Sequence, residues 1–326
     1  MDMILSHKSA LEYWRLYGYS KINYSVRQRL NGFPVDVPKY SKVRGELPTG
    51  LSLPINYVVG SQSAKRKSRL VYARVHTGPI PEGCIFDIGG GLSVSSPPLC
   101  FFQMACELPL VKLIELGLEL CGTYSLPAVN DYSPGTENVD KTRYDRPKLT
   151  EIKTLKAFTA RMKEAGGQKK ASRALRYIAD GSGSPMETIM IMLLTLPYKL
   201  GGYGLTMPGL NKRIEPKNKI KGGADKDRSR NPNYKCDLFW PKAKLAIEYD
   251  SDFYHTGADR IASDSKKRFD LMALGITVVS VTSRQLRSKG EFENIARLVA
   301  RKLGKRLQHK NPQFSEANRK LRSLLL

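Results

Sequence analysis

The chain has 326 residues and carries 54 Lys and Arg against 30 Asp and Glu, a formal net charge of +24, with 41% hydrophobic and 26% charged residues. That balance belongs to a globular protein long enough for two cores and excludes a disordered chain. No run approaches the ~18 apolar residues of a membrane span, and the opening MDMILSHKSALEYWR lacks the basic start, apolar stretch and small-residue cleavage site of a signal peptide.

The charge is uneven. Residues 1–75 carry about +9, 76–150 about −4, 151–183 about +5, 184–283 about +5 and 284–326 about +9. Such an excess suits a polyanion, because Lys and Arg replace counterions condensed on phosphates; a basic, solvated surface without a partner is the plainer reading. The five cysteines are odd in number and show no CxxC spacing. No disulfide framework or zinc knuckle is expected, and a cytoplasmic location is.

In chain order, residues 1–30 read as helical around Leu11, Trp14, Leu16 and Tyr17. INYVVG (55–60) and RLVYARV (69–75) read as strands, a hairpin or neighbours, separated by the basic KRKSR. EGCIFDIGGGLSVSSPP predicts strand, glycine turn, strand and helix start; no GKS or GKT follows, so the glycines form a tight hairpin rather than a phosphate loop. LCFFQMACELPLVKLIELGLEL (99–120) predicts a buried helical pair broken near Pro109, with Cys100, Cys106 and Cys121 as core packing. Residues 125–149, rich in Pro, Asp and Asn, read as an exposed loop, and two helices follow around AGGQ.

Ser184 opens a second unit as the N-cap of SPMETIMIMLLTLP, with Pro at the first helical position and Glu187 in the first turn. YGLTMPGLN reads as a strand, and residues 211–230, with eight Lys or Arg against three acids, as a loop. KCDLFWPKAKLAIEYD is a strand pair about a Pro-Lys turn. An amphipathic helix with Ile261, Phe269, Met272 and Ala273 on one face ends at Gly275; ITVVSVT is a buried strand and EFENIARLVARKLGKRL a basic helix.

The strand pair holds three acids. A turn centred on Lys242 and Ala243 sets Asp237 opposite Glu248, with Cβ atoms ~5 Å apart, and Asp250 shares the face of Glu248. Such a cluster repels itself unless a divalent cation, Mg²⁺ or Mn²⁺, sits among its hard oxygens. Glu187 is able to join from the helix layer, and His255 follows the second strand closely. The alternative is acids in water at strand ends or paired with Lys235, Lys242 or Lys244.

SPMET (184–188), CDLFWP (236–241), LAIEYDSDFYH (245–255) and DSKKRFDLMALGITVVSVT (264–282) together resemble the PD-(D/E)xK nuclease superfamily, in the branch of very-short-patch-repair-like endonucleases, over residues 184–286. The resemblance implies an α/β (α+β) fold: a restriction-endonuclease-like core of a mixed sheet flanked by helices. It implies a metal-dependent DNA endonuclease of defence or repair, with Asp237, Glu248 and Asp250 as metal ligands and Glu187 as the helix acid. Asp250 stands where the superfamily has its lysine, so nucleophile activation falls to another group such as His255, which is alternatively a phosphate contact or a strand-end hydrogen-bonding residue. Lys212, Arg213, Lys217, Lys219 and Lys221 would track the DNA backbone. Arg268 either pairs with Asp264 four residues away or reaches a phosphate.

RVHTGPIPEGCIFDIGGGLSVSSPPLCFFQMACELPL (74–110) and KKASRALRYIADGSGSPME (169–187) resemble the C-terminal domain of AbiEi-type antitoxins. This implies a second possibility, a non-catalytic antitoxin or regulator with a retained nuclease fold and a cognate toxin as partner. The expected domains are an antitoxin-like α+β domain over 1–150, connecting helices over 151–183 and the nuclease-like domain over 184–326.

Overall fold

A glycine triplet between strand-forming residues closes a hairpin, and Ser-Pro before an apolar run opens a helix. Packing then sorts such elements into two units, Met1–Asp180 and Gly181–Leu326. The computed structural model describes residues 2–23, 32–37, 39–128, 142–214, 234–250, 258–307 and 311–326, with side chains described from residue 262 onward in the helix that begins at Ala258.

The first unit runs β1 (Met3–Leu5), α1 (His7–Tyr17), α2 (Tyr40–Val43), β2 (Ile55–Val59), β3 (Val71–Val75), β4 (Ile85–Gly89), β5 (Leu92–Ser95), α3 (Pro97–Glu107), α4 (Leu110–Leu120), α5 (Ile152–Arg161) and α6 (Gln168–Ala174). Its sheet has the order β3-β2-β1-β5-β4. The β4–β5 hairpin turns on Gly89, Gly90 and Gly91 at φ +83°, +61° and +71°, a region glycine enters without strain. β2 and β3 are neighbours but parallel, which rules out the hairpin reading of that pair. β1 lies between them and the hairpin, antiparallel to β2 and parallel to β5; the all-helical expectation for the start of the chain missed this three-residue strand.

Pro109 caps α4 and separates it from α3, as its missing N–H and the restriction on the preceding residue require. α5 and α6 pack against α3 within the first unit. Cys100 and Cys121 are buried core residues, whereas Cys106 is exposed and its thiol donates to the Gly166 carbonyl at 3.2 Å. The expectation of core packing fails there because Cys106 falls at the solvent-facing end of α3.

The second unit runs α7 (Pro185–Thr195), β6 (Gly209–Ile214), β7 (Tyr234–Trp240), β8 (Leu245–Asp250), α8 (Ala258–Ala273), β9 (Thr277–Thr282), α9 (Ser283–Arg287), α10 (Lys289–Lys302) and α11 (Pro312–Leu325). The sheet order is β6-β7-β8-β9, antiparallel except for the parallel β8–β9 pair that α8 connects. The strand read over YGLTMPGLN begins only at Gly209, after the proline. β9 is an edge strand with Val281 fully buried and the rest half-buried, rather than a buried strand. Each unit is thus a mixed sheet flanked by helices. Among the described residues no helix is long and apolar enough to cross a membrane.

α8 is rotated from its expected apolar face. Leu271 is its buried anchor, while Phe269 and Met272 are 72% and 67% exposed. Half-buried Lys267 and Asp270 take the inward positions instead, bonded to Glu248 and to the Tyr234 hydroxyl. Ile261 lies outside the described side chains.

α11 buries Phe314, Leu321 and Leu325, and Asn318 donates to the Gly201 carbonyl at 2.7 Å. Gly201 has φ +89°, and a Cβ there would stand 2.3 Å from the Ala317 carbonyl oxygen. Gly201→Ala is therefore expected to cost about 1–3 kcal/mol, from left-handed backbone strain and the displaced helix. Urea unfolding monitored by circular dichroism reads this as a lower midpoint; an unchanged midpoint would mean that α11 does not dock against Gly201.

Candidate active site

The Pro241-Lys242-Ala243 turn ends at Lys244 in left-handed conformation, and the strands it joins pair Trp240 with Leu245, Phe239 with Ala246 and Leu238 with Ile247. This is the register expected from the turn, and one further step sets Asp237 opposite Glu248. The ladder stops before that step. The Asp237 carboxylate takes over, accepting the Tyr249 N–H at 2.8 Å. One backbone donor is thus satisfied by a side chain, and the strands hold the two acids side by side.

Glu248 is bound on one side only. Its Oε2 pairs with Lys267 Nζ of α8 at 2.7 Å, both side chains about four-fifths buried. Its Oε1 is buried without a hydrogen-bond partner among the described residues. The neighbouring Cys236 thiol is at most a weak donor to Glu248; burial pushes its pKa up to about 12, with the Glu248 charge and that hydrogen bond adding to the effect.

Glu187 reaches the site from the first turn of α7. Ser184 caps that helix by accepting the Glu187 N–H, and Glu187 Oε2 reaches back to the Gly183 N–H at 2.8 Å. Asn211 of β6 donates to the same oxygen at 2.6 Å and to the Gly181 carbonyl at 2.8 Å. Its left-handed backbone, φ +47°, is one Asn tolerates better than most residues.

Burial, then the charges of Glu187 and Glu248, push the Asp237 carboxyl up to about 7 despite the Tyr249 hydrogen bond and the Lys267 charge. Each acid alone is costly in an apolar layer, and together they raise one another's burden. Among the described residues no three His, Cys, Asp or Glu side chains are grouped so as to hold a metal ion as they stand. One oxygen there, Glu248 Oε1, has no hydrogen-bond partner among the described residues, and it belongs to the acid whose charge helps push the Asp237 carboxyl up to about 7.

No protein-family model, no curated protein and no solved structure matches this chain.

Of the acids singled out in the sequence, Asp237 and Glu248 face one another across the strand pair, and the charge of Glu187 also acts on Asp237. Asp250 stands apart, exposed at the end of β8 opposite Thr282. His255, Lys217, Lys219 and Lys221 lie outside the described residues. Lys212 and Arg213 are exposed on the edge strand β6. Arg268 donates to Ser280 Oγ at 2.8 Å rather than pairing with Asp264. Ser280 is the β9 partner of Glu248 in the sheet, so this guanidinium is anchored at the residue beside the acids. None of Lys235, Lys242 and Lys244 pairs with an acid among the described residues; the cation comes from Lys267 instead.

Two participants were missed in the sequence. Lys267 sits in DSKKRFD four residues before Leu271, so helical spacing around the true anchor would have found it. Asn211 interrupts a strand, where Asn is disfavoured, and that break in pattern was its signal.

Proposed function

We propose that the chain is a metal-dependent endonuclease that hydrolyses DNA phosphodiester bonds, with its catalytic centre in the second unit. The observation that carries the reading is Asp237 set opposite Glu248 with the charge of Glu187 also acting on it, its carboxyl pushed up to about 7 and one Glu248 oxygen left without a partner among the described residues. The order helix, three antiparallel strands, helix, parallel strand supports a restriction-endonuclease-like core of the PD-(D/E)xK superfamily.

Asp237 and Glu248 would hold Mg²⁺ or Mn²⁺, and Lewis acidity toward the scissile phosphodiester is what such an ion supplies when bound. Lys267 then takes the part of the lysine that Asp250 displaces from the strand: its ammonium, fixed on Glu248, faces the negative charge that grows on the attacked phosphate. Glu187, clamped by Asn211, is a positioning residue for Asp237 through its charge. Exposed Lys212 and Arg213 on the sheet edge serve the DNA backbone without reading sequence, and Arg268 adds a further cation at the rim.

A second reading is favoured by one observation: Glu248 and Glu187 are already bonded to protein donors. That would suit an idle nuclease fold in an antitoxin or regulator whose partner is a cognate toxin. Nicking of supercoiled plasmid with Mg²⁺, Mn²⁺ or EDTA separates the two. Metal-dependent nicking lost in Glu248→Ala is the expected result; a wild-type protein equally silent in all three conditions, while still binding DNA, gives the idle fold preference.

A further inference from the structure

The first unit carries a basic cleft that the catalytic reading leaves unused. It has a volume of about 490 Å³, the size of a small-ligand pocket, and opens beside the sheet edge formed by β3. Lys39, Arg66 and Lys67 line it against a single acid, Asp36. All three cations are exposed, and among the described residues none of them forms an ion pair. Lys65 and Arg69 flank the same loop, also exposed.

The loop is built to keep these charges in place. Arg66 Nη1 donates to the carbonyls of Ser63 and Lys65 at 2.9 Å each, and the Arg66 carbonyl accepts the Ala73 N–H of β3. The Ser68 N–H bonds the Val71 carbonyl, so the basic segment is stitched along the edge strand. Lys67 lies over the Tyr72 ring at 5.2 Å. Ordering several like charges on one strip costs energy unless a polyanion meets them.

Between the cations the lining changes character. Half-buried Tyr40 and Val71 and exposed Val35 present an aromatic and apolar wall, and Val35 alone is 59% exposed. A duplex keeps the faces of its bases stacked and offers phosphates, sugars and base edges, none of which an aromatic wall can stack on. An unpaired base offers a flat ring between two phosphates, and stacking platforms set among cations are the recurring device for single strands.

We propose that this cleft binds single-stranded nucleic acid, with phosphates on Lys39, Arg66 and Lys67 and a base against Tyr40. The site belongs to the first unit and does not rest on the acids of the second being catalytic.

The test uses the full chain in EDTA, where metal-dependent cleavage plays no part, so failure of the nuclease reading leaves it standing. A fluorescent single strand of about 12 nucleotides, within the span such sites cover, is titrated by anisotropy from about 50 to 200 mM salt. R66Q/K67Q is expected to bind at least about tenfold more weakly, and its log Kd against log salt to lose about 1.4 in slope, two phosphate contacts at about 0.7 each. K39Q, on a different element, is expected to lose about 0.7, which keeps the test independent of the loop. Y40A is expected to weaken binding with the slope unchanged. The proposal is overturned if R66Q/K67Q and K39Q keep wild-type affinity and slope. It is overturned equally if a matched duplex, or polyglutamate of the same charge, displaces the strand as well as unlabelled single strand does.

Discussion

Asp237→Asn is expected to melt several degrees above wild type at pH 8, no higher at pH 4, and to cut no plasmid at either. In the folded chain the carboxyl titrates at about 7, against an ordinary 3.8. Between those values the unfolded chain gives up a proton that the folded chain keeps, so this residue's contribution to stability falls as pH rises from about 4 to 7 and stays at its lowest above 7. Asn cannot ionise, and its side-chain oxygen can still accept the Tyr249 N–H. The gain at pH 8 is about 2–4 kcal/mol, from about three pKa units at ~1.4 kcal/mol each, and it appears as several degrees in a unit of this size. Cleavage should fall by at least about a hundredfold, since even groups one layer outside a metal cost 10–100-fold when changed. Added Mn²⁺ should raise the melting temperature of wild type, through binding to the folded state alone, and leave the variant unmoved. A variant less stable than wild type at pH 8 would show instead that the Asp237 carboxylate is ionised and satisfied, and the electrostatic motive for a metal would be gone.

Lys267→Met carries the second large effect. It keeps the length of the aliphatic stem and removes the charge bonded to Glu248 at 2.7 Å. Glu248 would then have neither oxygen engaged within the described surroundings. Breaking a buried pair from one side costs about 3–5 kcal/mol; with both side chains about one-fifth exposed, about 2–3 kcal/mol is expected here. Adding Glu248→Gln to Lys267→Met removes the stranded charge and should recover most of the loss. Urea midpoints for the two single variants and the double variant give the coupling directly, expected at about 1–3 kcal/mol. Strict additivity would mean that the pair is a surface contact and that Lys267 has no place in the centre.

Features fixed within a few residues were legible in the sequence. The cap of α7 needs only Ser184, Pro185 and Glu187, and the Asp237–Glu248 register needs only a turn length and alternation. What failed depended on distant partners. The amphipathic reading of α8 chose Phe269 and Met272 because they are its most apolar residues, yet the inward face is shared by Leu271, Lys267 and Asp270, whose partners lie on β8 and β7. Asp250 looked equivalent to Glu248 by alternation, but β8 ends there and leaves it in solvent. β2 and β3 allowed a hairpin as well as simple neighbours because nothing local reveals that the segment between them brings β3 back parallel to β2.

The short strand β1 has a consequence for how the first unit comes into being. Ile4 faces Val58 on one side and Ser93 on the other, so the pairing of this strand is completed only by residues far along the chain. During synthesis Met3, Ile4 and Leu5 can pair with β2 first, but their other edge stays open until the β4–β5 hairpin has emerged. Sheets closed by such distant pairings form slowly, since loop closure precedes any gain from contact. The hairpin and the α3–α4 pair, local in sequence, are then the natural nucleus onto which the first strand closes.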